Sequence, residues 1–263
     1  MGHMRVGFLP KTRKWKQVIK LLETTTSSNE KIAYATITAS EKFFNQNKDN
    51  SVVVFCYWFL TQITSHARKK EEFINELDRF GLNINNLKNA INFLSSVSKY
   101  IDKQAQIRKG NYVLSKIAIL SLKEVLSETI EIQSQSLFGK SFEDIRLACK
   151  KYSDPKKFSR LSRLYFSKLL YRTLQFFLSR ETCNNVGRNR KFKDITELIN
   201  FNSAIKLYCF QVSKIVEDFS SGWYSKRIWE GEITEEDTKK FVVIAIKKLQ
   251  SEILRETNIL ENN

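Results

Sequence analysis

Histidine is almost missing from this chain: 263 residues contain only His3 and His66. The opening Met1-Gly2-His3-Met4 reads as an expression scar ahead of a native Met4, which leaves His66 alone. A lone histidine argues against a multi-histidine metal site. With no G-x-S-x-G segment and Ser65-His66 outside any nucleophile elbow, it also argues against a serine triad or a papain-like pair. Helical ribonucleases of the HEPN class need an Arg four to six residues ahead of the histidine, and Leu60, Thr61 and Gln62 stand there instead. His66 precedes Ala67-Arg68-Lys69-Lys70 and reads as a surface or helix-end residue.

Proline and glycine are also scarce, at two and eight residues. These residues punctuate secondary structure, so their rarity implies long uninterrupted helices. The four cysteines, Cys56, Cys149, Cys183 and Cys209, form no C-x-x-C pair, which argues against a zinc site or a disulfide framework. They read as buried reduced thiols. The longest apolar run, Val52 to Leu60, is far short of the ~20 residues that span a bilayer. The segment from Leu161 to Leu178 is broken by Arg163, Lys168, Arg172 and Gln175. No secretory signal follows Met4, and the expectation is a cytoplasmic protein with no membrane association.

Helical periodicity fills the rest. Trp15, Val18, Ile19 and Leu22 share one face, and Ser28 to Asn45 continues as a second helix. The run VVVFCYWFL does not alternate, so a buried helix over Ser51–Ser65 is preferred to a strand. Phe73, Ile74, Leu77 and Phe80 face one way ahead of Gly81, which suits a left-handed helix cap. Stripes follow at Leu87, Ile91, Leu94, Val97 and Ile101, then at Leu114, Ile117, Leu120, Val125 and Ile132. Ser141 and Asp144 form a capping box, Asp154-Pro155 opens a helix running to about Ser179, and Thr234 with Asp237 caps the last one. A helix from Thr196 to Phe219 is expected to stop at Gly222, and Asn184 to Lys191 to form an exposed loop or hinge. The expected fold is all-α, an irregular multi-helix bundle of about nine or ten helices. It forms either a 5–139 lobe and a basic 140–263 lobe divided near Gly139, or one continuous domain.

What the chain has in excess is positive charge. Its formal net charge is +16, and Lys140–Lys193 holds fifteen Lys or Arg against Glu143, Asp144, Asp154 and Glu181. Charge so concentrated repels itself in the folded state and points to a polyanionic partner, nucleic acid being the commonest. Lys156, Arg160 and Arg163 sit at i, i+4 and i+7 on one helix face, suited to following a phosphate backbone, with Lys157 turned away by about 100°. Arg188, Arg190, Lys191 and Lys193 form a second group. In Ser221 to Trp229, Lys226 and Arg227 alternate with aromatic residues. Trp223 and Tyr224 there are either a base-stacking platform or a latch closing the last helix on the core. Phe158, Tyr165, Phe166, Tyr171, Phe176 and Phe177 are expected in the core.

Two weaker motifs do not hold. Gly139-Lys140-Ser141 resembles the end of a phosphate-binding loop, but the first glycine of that motif would fall at Ser134 and no strand precedes it. Glu124, Glu128 and Glu131 share a helix face and could gather a divalent metal, although a solvated face explains them as well. No cofactor, metal or catalytic residue is therefore expected. The sequence suggests a non-enzymatic nucleic-acid-binding accessory subunit, with DNA or RNA and a protein partner in a larger complex. A bacterial origin, read from the many Lys, Asn, Ile and Phe, and a role in antiviral defence complete that expectation. The alternatives are a scaffold docking an acidic protein and a metal-dependent nuclease.

Overall fold

A computed structural model describes residues 9–87, 89–131 and 141–261. The expectation of an all-α multi-helix bundle holds, with eleven α-helices among the described residues. The expected division near Gly139 and the Gly139-Lys140 motif lie outside them. The chain folds into two compact units, each assembled from discontinuous stretches. One comprises 1–46, 166–215 and 246–263, the other 47–165 and 216–245.

The second unit is built around α3 (Ser51–Ser65), preceded by α1 (Arg13–Glu23) and α2 (Asn29–Asn47) of the first. Every residue of α3 from Val52 to Thr64 is buried. Burial on all sides decides its conformation over the strand preference of Val52-Val53-Val54. Asn50 caps α3, its Oδ1 accepting from the N–H groups of Val52 at 3.0 Å and Val53 at 3.2 Å. A Cβ on Gly110 would lie 2.8 Å from Asn50 Nδ2, so glycine there leaves room for the cap.

Around α3 stand α4 (Lys70–Arg79), α5 (Ala90–Ile107), α6 (Tyr112–Glu131) and α7 (Phe142–Lys151), joined by the first part of α8 (Pro155–Asn184). Gly81 takes φ +70°, as the cap after α4 requires. The Ser141–Asp144 capping box opens α7. Buried polar contacts fix α3 to distant segments. Trp58 Nε1 and Gln62 Nε2 both donate to the Ile233 carbonyl, at 2.9 and 2.8 Å, and the Tyr57 and Ser162 hydroxyls meet at 2.7 Å.

In the first unit Trp15, Val18 and Leu22 line the buried face of α1, and the Trp15 ring lies 4.9 Å from that of Phe177 on α8. The loop after α8 turns through Gly187 and Asn189, both at positive φ, and buries Phe192 5.1 Å from the ring of Phe201 on α9 (Ile195–Val212).

Three expectations need correction. The helix expected from Thr196 to Phe219 is two: α9 begins under Asp194, whose Oδ1 accepts from the Glu197 N–H at 3.0 Å, and ends at Ser213. Gly222 stops nothing. It lies inside α10 (Lys214–Glu230), where burial of Ser220 and Tyr224 outweighs the cost, about 1 kcal/mol, of a glycine in a helix. Cys56, Cys149 and Cys209 are buried as expected, but Cys183 near the end of α8 is exposed. The last helix, α11 (Glu235–Glu261), is capped as read, Thr234 Oγ1 accepting from the Asp237 N–H at 3.1 Å.

Candidate nucleic-acid interface

The corner between α7 and α8 is set by short-range chemistry. The N–H groups of Tyr152 and Ser153 close the end of α7 on the carbonyls of Cys149 and Lys150, at 3.0 and 2.9 Å. Asp154 then caps α8, accepting from the Lys157 N–H at 3.0 Å. Phe158, Ser159, Leu161 and Ser162 turn inward, and Lys156, Lys157 and Arg160 turn outward and are exposed. Among the described residues, no carboxylate lies within ion-pair distance of these three side chains. Arg163, one turn further, is placed differently. Its Nη1 lies 3.0 Å from Glu217 Oε2 on α10, with the two side chains 18% and 16% exposed. Burial of the neighbouring apolar residues carries Arg163 inward with them.

The same contrast separates the other basic candidates. In the loop of the first unit, Arg188 and Arg190 are exposed with no acidic partner among the described residues. Lys191 instead folds back to donate to the carbonyls of Thr25, at 3.2 Å, and Ser27. Desolvation there lowers its pKa. Lys193 lies 4.0 Å from Glu197 and remains largely exposed. In the second unit Lys226 pairs with Glu230 at 3.7 Å, and Arg227 pairs with Glu230 at 2.8 Å and Asp237 at 3.3 Å. The Thr234 hydroxyl, aided by Arg227, holds the Asp237 carboxyl below its ordinary range.

The two rings offered for stacking are placed differently: Tyr224 is turned inward and Trp223 is half-buried. Tyr224 is fully buried, its ring stacked on Phe158 at 3.7 Å and its hydroxyl 3.1 Å from that of Thr64. Trp223 lies 4.4 Å from the ring of Phe241 and 6.1 Å from that of Tyr57. These contacts realise the latch. The aromatic side chain that does project from this segment is Trp229, 87% exposed, at the end of α10. Helical phase separates it: Trp229 is five residues beyond Tyr224, about 140° away around the helix.

Among the described residues, no three of His, Cys, Asp and Glu gather as a metal site. The Glu131 side chain lies outside them. His66 closes α3, half-buried, with Nδ1 3.0 Å from the Gln62 carbonyl oxygen. A gap in the first unit, lined by Ile37, Phe44, Phe166 and Gln250 among others, has about 10 Å³ of room, enough for one water. No described helix is long and apolar enough to cross a membrane. Comparison of the chain with protein-family profiles, with curated proteins and with solved structures finds no match.

Proposed function

We propose that the protein is a non-enzymatic nucleic-acid-binding protein that contacts phosphates through the start of α8. The observation that carries this reading is the state of Lys156, Lys157 and Arg160: exposed, adjacent and without acidic partners, where other basic residues of the chain are used in ion pairs. Cations that satisfy no internal carboxylate gain most from an external polyanion, whose bound counterions they release. Arg188 and Arg190 offer a further pair of contacts in the other unit. A protein partner completes the reading. It is supported by the large apolar side chains Ile195, Ile199 and Leu207, all exposed on α9.

Fluorescence anisotropy with labelled single- and double-stranded DNA and RNA tests the proposal. Wild type should bind with a Kd of roughly 1–100 µM at near-physiological salt, more tightly as salt falls. The variant Lys156→Glu/Arg160→Glu should lose that binding. Binding unaffected by the substitutions would transfer the function of this face to an acidic protein partner.

A further inference from the structure

The basic corner is larger than its sequence neighbourhood. Arg68, at the end of the turn that follows α3, donates from Nη2 to the Ser153 carbonyl at 2.6 Å. Arg146 on α7 donates from Nη1 to the Ala67 carbonyl at 2.7 Å while its Nε and Nη2 hold the Glu143 carboxylate. These contacts hold the segment Ala67-Arg68-Lys69-Lys70 against the α7–α8 turn. Glu143 records the proximity: its pKa is lowered first by Arg146, then by the nearby charges of Lys70 and Lys150. Lys70 and Lys150 are exposed, and neither has an ion-pair partner among the described residues. The Glu143 carboxylate they flank is occupied by Arg146.

We infer that this corner is a composite track for the sugar-phosphate backbone of a nucleic-acid duplex, formed by Lys70 at the start of α4, Lys150 and Lys151 at the end of α7, and Lys156, Lys157 and Arg160 on α8. The inference rests on the nucleic-acid reading above and adds to it the second run of charge and the form of the ligand. Cations from three elements cover more than one phosphate, so the ligand is a polymer rather than a single anion. Among the described residues, no aromatic ring of α7 or the start of α8 is fully exposed for a base to stack on. Phe158 and Tyr224 are buried, Tyr152 is half-buried with the Lys151 ammonium 6.0 Å from its ring, and Trp223 is half-buried against Phe241. Single-strand binding draws on such rings, whereas paired strands present phosphates outward and hide their bases. Contacts of this kind position a duplex without reading its sequence.

The test compares wild type, Lys70→Ala/Lys150→Ala and Lys156→Ala/Arg160→Ala for affinity across a salt series, using labelled duplexes of two unrelated sequences and a single strand of equal length. All four substitutions change exposed side chains, and thermal melts verify that the fold is kept. Each double variant should flatten the plot of log K against log salt, by up to about 0.9 for each phosphate no longer neutralised, equally on both duplexes. A Lys70→Ala/Lys150→Ala slope equal to wild type, with Lys156→Ala/Arg160→Ala flattened, would overturn the composite track and leave the α8 site standing. Tighter binding of the single strand than of either duplex would overturn the duplex assignment. Failure of wild type to bind any of the polymers, even at low salt, would overturn the nucleic-acid reading itself.

Discussion

The ring of Tyr224 on α10 stacks on that of Phe158 on α8 with centroids 3.7 Å apart and planes inclined by 10°. Phe158 lies between Lys157 and Arg160, so the contact that buries one face of α8 turns its basic face outward. Packing and the candidate interface are two sides of one helix.

That relationship predicts the effect of removing the ring. Tyr224→Ala should destabilise the fold by roughly 3–5 kcal/mol, because it empties a fully buried site. Tyr224→Phe keeps the stack and gives up only the hydrogen bond with the Thr64 hydroxyl, for about 1 kcal/mol. Denaturant unfolding of both variants measures the difference. Equal effects would mean that the ring stack contributes little.

Arg163 and Arg160 should separate by what they support. Arg163→Met removes a largely buried partner of Glu217 and should cost about 1–3 kcal/mol of stability with little change in the salt slope of duplex binding. Arg160→Met should flatten that slope and leave stability within about 0.5 kcal/mol of wild type. A double-mutant cycle with Glu217→Gln, read by denaturant unfolding, isolates the Arg163 coupling. Zero coupling would make the pair incidental.

The thiols should divide by exposure. Cys183 is the exposed one, while burial pushes the Cys149 thiol up to about 12 and raises Cys56 and Cys209 as well. Attack requires the thiolate and access to it. A chromogenic disulfide reagent should therefore titrate one thiol rapidly in the native protein and all four in denaturant. Rapid modification of more than one would contradict the packing around α3, α7 or α9.

Much of the fold was legible because helix signals are local. The spacing of Trp15, Val18 and Leu22, the Ser141–Asp144 box and the Asp154-Pro155 start each act within a few residues, and each forms as read. The misreading at Gly222 has the same origin. A single glycine is a weak local signal, and the buried neighbours that override it are packed against residues far away in sequence.

The candidate site was legible as a concentration of charge and no further. Composition and helical phase by themselves indicated an all-α, strongly basic chain with Lys156, Arg160 and Arg163 together on one helix face. The tertiary structure alone decided which cations are already engaged. Arg163 meets Glu217 across 54 positions of sequence, Arg68 meets Ser153 across 85, and Tyr224 closes on Phe158. The physical reason is range. Caps and helix faces are set within one or two turns, whereas desolvation and ion pairing depend on which distant segments the folded chain brings within a few ångströms.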